Sequence, residues 1–216
     1  MRGFTHLSRV QYAFWFAGAL LCSLCAGAYL ERRFYQAAES RRLEEALRFN
    51  GTRPVPMPVP APSQASRRAA GSLVGRLEIR RLGLSAIVLE GSDSRTLRRG
   101  VGRIPETASP GQDGNVVLSG HRDTFFRPLR QIRAGDRVTL QTPAGLYRYV
   151  VEWTAVVNPR DNASLKATAD RSLTMVTCYP FRYVGPAPQR FIVRARQVAP
   201  EASRSLGIEI EERKNG

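Results

Sequence analysis

Between residues 73 and 198 the sequence never sustains a helical period. It breaks into short apolar or alternating runs separated by Gly, Pro and Asp, the pattern of an all-β barrel or sandwich. The runs fall at residues 74–79, 84–89, 115–119, 137–141, 146–157, 173–178 and 191–198. Two helical turns interrupt them. One covers residues 93–99 and is capped by Ser92 or Asp93, and the other covers residues 124–132.

The chain ahead of this domain is of another kind. Residues 10–30 form 21 positions without a charge, bounded by Arg9 and Glu31 and carrying Tyr12, Trp15 and Tyr29 near their ends. That length spans a bilayer. Ala26-Gly27-Ala28 offers a signal-peptide cleavage pattern, but the run is longer than the ~7–15 residues of a typical cleaved apolar core, so an uncleaved anchor is expected. Residues 31–49, with Phe34, Ala38, Leu43 and Leu47 at loosely helical spacing, read as a helix leaving the membrane as a stalk. Prolines at every second position from Pro54 to Pro62 favour an extended polyproline II spacer. The division expected is therefore a tail at 1–9, an anchor at 10–30, a juxtamembrane helix and linker at 31–72, the β domain at 73–198 and a tail at 199–216. That last tail, with Ile208 and Ile210 among charges, reads equally as a loose end or as a helix folded back on the domain.

The formal charge of +15 is carried almost wholly by arginine, Lys166 and Lys214 being the only lysines. The arginines are scattered rather than gathered in a stripe with aromatics, which argues against nucleic acid as the partner and for an anionic membrane or wall surface. Arg2 and Arg9 lie on one side of the apolar run and Arg32, Arg33, Arg41 and Arg42 on the other. The positive-inside rule alone therefore does not place the domain outside. The short N-terminal tail and the globular domain that follows do favour an extracytoplasmic position.

Beyond residue 30 there is one cysteine, Cys178, and one histidine, His121. Cys22 and Cys25 lie in the apolar run and read as buried apolar side chains. A domain with a lone thiol makes no internal disulfide, so that thiol is either an inert core residue or kept for chemistry. Cys178 ends the run Leu173-Thr174-Met175-Val176-Thr177, two positions before Pro180, where a strand must stop. His121 follows Asn115-Val116-Val117-Leu118-Ser119-Gly120, and Gly120 lets another chain approach closely. Asp123 is placed either to orient the imidazole or to cap the following turn. Arg190 opens the last run and falls at the same sheet end as Cys178 if residues 179–189 join antiparallel neighbours. A thiolate is a nucleophile, a histidine passes protons near neutral pH, and an arginine donates hydrogen bonds to developing negative charge. One His and one Cys leave a zinc site without ligands. Asp161 and Asp170 fall short of the six to eight oxygens calcium takes, so neither a metal nor another cofactor is expected.

Thr174-Met175-Val176-Thr177-Cys178 resembles the TLxTC signature of the sortases, membrane-anchored cysteine transpeptidases, with Met in the Leu position. Thr96-Leu97-Arg98-Arg99-Gly100-Val101-Gly102, Ser119-Gly120-His121-Arg122, the Gly135-Asp136 turn and the strand-opening Arg190 extend the likeness. Gly120-His121-Arg122-Asp123-Thr124-Phe125-Phe126 and Cys178-Tyr179-Pro180-Phe181 are most similar to class D. The resemblance implies a closed eight-stranded β-barrel behind a single transmembrane helix, with the domain outside the membrane. It implies a catalytic trio of Cys178, His121 and Arg190, with Thr177 positioning substrate backbone. Its implied partners are a protein bearing a sorting signal and an amine acceptor, a cell-wall peptide or pilin-like protein. Two other readings stand beside it: an envelope cysteine peptidase, and a non-catalytic binding module tethered to the membrane.

Overall fold

The computed structural model describes residues 4–50 and 69–198, with side chains from 9 to 48 in the first segment. The proline-rich spacer and the C-terminal tail lie outside the described residues. Eight strands close into a barrel in the order β1-β2-β3-β4-β7-β8-β6-β5. They are β1 (Leu73–Ile79), β2 (Leu84–Glu90), β3 (Val101–Arg103), β4 (Asn115–Ser119), β5 (Arg137–Thr142), β6 (Gly145–Val157), β7 (Ser172–Tyr179) and β8 (Gln189–Val198). Two pairings are parallel, β2 with β3 and β4 with β7; the others are antiparallel.

Period-2 alternation sorts the strand residues between the two faces of the wall. Leu77, Val88, Val116, Leu118, Val138, Leu140, Tyr149, Leu173, Met175 and Val193 fill the interior, and Phe126 and Leu129 close one end. Outside the wall, Val117, Val176 and Ile192 form a second buried cluster with Ile104, Val157 and Leu165. The 158–171 loop supplies Leu165, so apolar residues cover this part of the barrel on both faces.

Two local features differ from the sequence-based expectation, and a third agrees with it. β3 lies outside the expected runs, because three residues that include Gly102 carry no strand signal. They form a strand because they bridge β2 and β4, and any Cβ at position 102 would collide with the Gly91 carbonyl oxygen. The turn expected at 124–132 is a shorter 3-10 segment, Arg127–Gln131, preceded by Phe126 rather than Asp123. The turn at 93–99 is the α-helix α2 (Ser94–Arg99). Asp93 is its cap, accepting from the amides of Arg95 and Thr96.

The largest difference is the helix that precedes the barrel. α1 (Phe4–Asn50) runs without a break through the apolar residues and beyond them. It is not a free stalk. Leu43 is wholly buried and Glu39 nearly so, while Phe34 is 71% exposed, so of the expected stripe Phe34, Ala38, Leu43 and Leu47 only the C-terminal half meets the barrel. The Gln36 amide fixes the crossing: its Oε1 accepts from the Ile87 amide at 2.9 Å and its Nε2 donates to the Arg99 carbonyl. Glu44 meets Arg76 at 3.3 Å. Burying Leu43 contributes about 1.5–3 kcal/mol to this docking.

Arg81, from the 3-10 turn after β1, clasps Asp136 and the Gln131 carbonyl, joining that turn to the one before β5. The Arg81 guanidinium and the Arg133 amide hold the Asp136 carboxyl below its ordinary value, against the opposing effect of burial. A depressed value in the folded state means that the stabilisation is fully present above the unfolded-chain value, about 3.9, and is lost as pH falls through the folded one. Urea unfolding between about pH 5 and pH 2 should therefore show a steeper loss of stability for the native protein than for Asp136→Asn. Parallel acid limbs would contradict the role given to this pair.

Candidate active site

The antiparallel register of β7 and β8 sets Cys178 directly opposite Arg190. The two side chains meet, Arg190 Nη1 lying 3.4 Å from Cys178 Sγ as a donor. Cys178 is half-buried and free of any disulfide. Alternation along β7 turns Leu173 and Met175 inward, so Val176 and Cys178 face outward, toward the wall covered by the 158–171 loop.

β4 runs parallel to β7 with Ser119 opposite Val176, which carries His121 to the same end. Two bonds hold the exit of β4 there. The Gly120 amide donates to the Val176 carbonyl at 3.2 Å, and Thr177 Oγ1 donates to the Gly120 carbonyl at 2.7 Å. His121 is thus the first residue beyond a clasp whose other side is Thr177, the neighbour of Cys178. The His121 ring is exposed, and its backbone carbonyl accepts from the Phe126 amide at 3.1 Å. The close approach expected at Gly120 comes from Phe126: a Cβ at Gly120 would lie 2.8 Å from the Phe126 ring. Asp123 neither orients the imidazole nor caps the following turn. Its carboxylate lies 3.4 Å from Arg122 instead.

Thr177 sits differently from the expectation that it touches substrate. It is 2% exposed and its hydroxyl is spent on Gly120. Its place is behind the site, joining the histidine loop to the cysteine strand.

Polar residues that the sequence did not single out for the site fasten the loops around it. Arg122, buried, donates to the Pro180 carbonyl at 2.9 Å and the Tyr183 carbonyl at 2.7 Å, with its guanidinium 5.8 Å from the centre of the Tyr183 ring. It ties the histidine loop to the chain just past Cys178. On the other flank, Arg194 donates to Ser172 Oγ and the Ser164 carbonyl, and Asn115 Nδ2 donates to the carbonyls of Ser164 and Lys166. Thr174 completes the set by donating to Asn115 Oδ1 at 2.7 Å. Burial lowers the proton affinity of Arg194, with Glu152 opposing. The only signal in the sequence was a polar residue at each of three positions on outward-facing strand faces.

Comparison with known proteins agrees with this geometry. The model of the Sortase domain family matches residues 77–198. The chain belongs to the sortase family. It is similar to Sortase D of Bacillus subtilis, 36% identical over 129 residues, covering 59% of this chain and 65% of that protein. It is 26% identical over 111 residues to Sortase A of Listeria monocytogenes, 50% of each chain. The chain thus spans between half and two thirds of the length of these curated relatives. Among solved structures, sortase C-1 of Actinomyces oris superposes with a TM-score of 0.56 at 26% identity, covering 74% of this chain and 98% of that one. The Sortase D5 transpeptidase of Clostridium perfringens shares the fold, with a TM-score of 0.59 at 23% identity over 76% and 100% of the two chains. The eight-stranded closed barrel is therefore the sortase fold.

The Thr177 clasp is tested by Thr177→Val, which keeps the side-chain shape and leaves the Gly120 carbonyl without its partner. The expected cost is about 1–3 kcal/mol in chemical denaturation, with a lower turnover number for any Cys178-dependent reaction. Unchanged stability would contradict the clasp.

Proposed function

We propose that this chain is a cysteine transpeptidase that cuts a sorting-signal peptide in a substrate protein and transfers the acyl fragment to an amine at the cell envelope. The observation that carries the reading is the direct opposition of Cys178 and Arg190, with sulfur and guanidinium 3.4 Å apart at the strand end where His121 also emerges.

Cys178 Sγ attacks the scissile carbonyl carbon, and the carbonyl oxygen becomes an oxyanion that accepts hydrogen bonds from Arg190. The C–N bond breaks as His121 gives a proton to the leaving amine, and a thioester on Cys178 remains. An incoming amine then attacks the thioester, His121 takes its proton, and the Cys178 thiolate departs with the new amide formed. Thr177 and Arg122 act by position: one binds the histidine loop to β7, the other binds it to the loop after Cys178. The exposed imidazole suits a group that must meet two successive amines.

The substrates are a sorting-signal-bearing protein and an amine donor such as a cell-wall peptide or pilin-like protein. Residues 9–48 include a segment long and apolar enough to cross a membrane. On this reading it is a single-pass anchor, with the barrel on the extracytoplasmic side.

A peptide-library assay on the full chain, with and without an added amine, tests the assignment. Cleavage should be diverted to amide product as amine concentration rises; hydrolysis alone, unaffected by amines, would make the protein a peptidase. Cys178→Ala should lose all product with its thermal unfolding unchanged. His121→Gln should lower turnover by about 10²–10⁴-fold, and Arg190→Ala by about 10²–10³-fold. Full activity in Cys178→Ala would refute the mechanism.

A further inference from the structure

α1 and α2 enclose a crevice of about 240 Å3 lined by Ala28, Glu31, Arg32, Arg95, Arg98 and Arg99. Four guanidiniums face one carboxylate in a concave site. Arg99 lies 3.6 Å from Glu31 and over the Tyr35 ring at 4.9 Å, so Glu31 is already engaged. Arg32 is held over the rings of Tyr29 and Phe125, at 5.6 and 5.9 Å. Arg95 and Arg98 are exposed and make no ion pair among the described residues. The two helices are tied together beside the crevice, because Gln36 bonds both to β2 and to the Arg99 carbonyl that ends α2.

The height of the crevice on α1 decides what it takes. Ala28 belongs to the last turn of the uncharged run at residues 10–30, whose large apolar side chains such as Leu20, Leu21 and Leu24 are more than 60% exposed. α2 is therefore level with the end of that run. We propose that this crevice binds the phosphate of an anionic phospholipid headgroup, with the acyl chains lying along the apolar face of α1. The proposal rests on the reading of residues 10–30 as a membrane span. Guanidiniums pair with phosphate oxygens through two parallel hydrogen bonds, and basic pockets beside membrane-spanning helices suit such headgroups. A free oxyanion would meet the same arginines but would gain nothing from the apolar run beneath them.

The position matters for the catalytic end. α2 leads through Gly100 into β3, whose Gly102 pairs with Ser119, two residues before His121. Phe125, under Arg32, lies in the loop that follows His121. A headgroup seated here sets the height and tilt of the His121 end of the barrel above the bilayer, where a membrane-anchored substrate would arrive.

The test uses the full chain in detergent micelles, mixed with equal amounts of dioleoyl phosphatidylglycerol and dioleoyl phosphatidylcholine, with retained lipid counted by native mass spectrometry. The wild type should retain phosphatidylglycerol over phosphatidylcholine, and millimolar inorganic phosphate should not displace it. Retention by R95E/R98E should fall at least about tenfold. Equal retention by wild type and R95E/R98E overturns the site, and full displacement by inorganic phosphate overturns the assignment to lipid. Should R95E/R98E fail to fold, as judged by circular dichroism, R95Q/R98Q gives the same comparison. The readout does not involve peptide transfer. Loss of transfer with lipid retention intact counts against the catalytic reading alone.

Discussion

The site depends on the position of β7 between two different neighbours. It pairs in parallel with β4 on one side and antiparallel with β8 on the other, so the exits of β4 and β7 and the entry of β8 lie at one end of the barrel. His121 lies two residues beyond the first, Cys178 is the penultimate residue of the second and Arg190 is the second residue of the third. No loop has to fold back to bring the three segments together; strand direction and register do it. A register slip of one residue in β8 would turn Arg190 to the other face of the wall. That register is held by the apolar pairs next along the strands, since Met175 and Val193 pair inside the barrel and Val176 and Ile192 pair outside it.

Around this backbone frame the loops are fixed by hydrogen bonds as well as by apolar packing. Thr177, Arg122, Arg194 and Asn115 each reach at least one backbone carbonyl of a neighbouring segment. Such bonds suit a rim. A carbonyl that has left the barrel ladder needs a donor once it is buried, and an arginine supplies several in a fixed plane. The high arginine content that looks like a surface property in the composition is therefore partly internal. Arg103 is 7% exposed with its guanidinium bound to Glu90, and Arg122 and Arg194 are equally enclosed.

Much of the barrel was legible in the sequence because its strands carry strong period-2 patterns, and because Gly and Pro mark their ends. The pairing of Cys178 with Arg190 was legible for the same reason: the 179–189 connection is short enough to make β7 and β8 neighbours. What escaped were features with no local signal. β3 is three residues long and is a strand only by virtue of its two neighbours. The docking of α1 uses Leu43 from the expected stripe together with Gln36 and Glu39, whose roles depend on the barrel surface. Thr177 reads as a substrate contact by its place beside the cysteine, but alternation turns it inward to the Gly120 carbonyl. Asp123, one residue from Arg122, pairs with that cation and leaves the imidazole free.

We propose that Cys178 carries the acyl group between two amines. The most direct measurement is intact-mass and peptide-level mass spectrometry of the full chain, acid-quenched during turnover of a cleavable peptide without added amine. The account predicts a mass increase equal to the acyl fragment, located on the peptide that contains Cys178 and removed by hydroxylamine. Turnover with no adduct on that peptide, or an adduct located elsewhere, would contradict it.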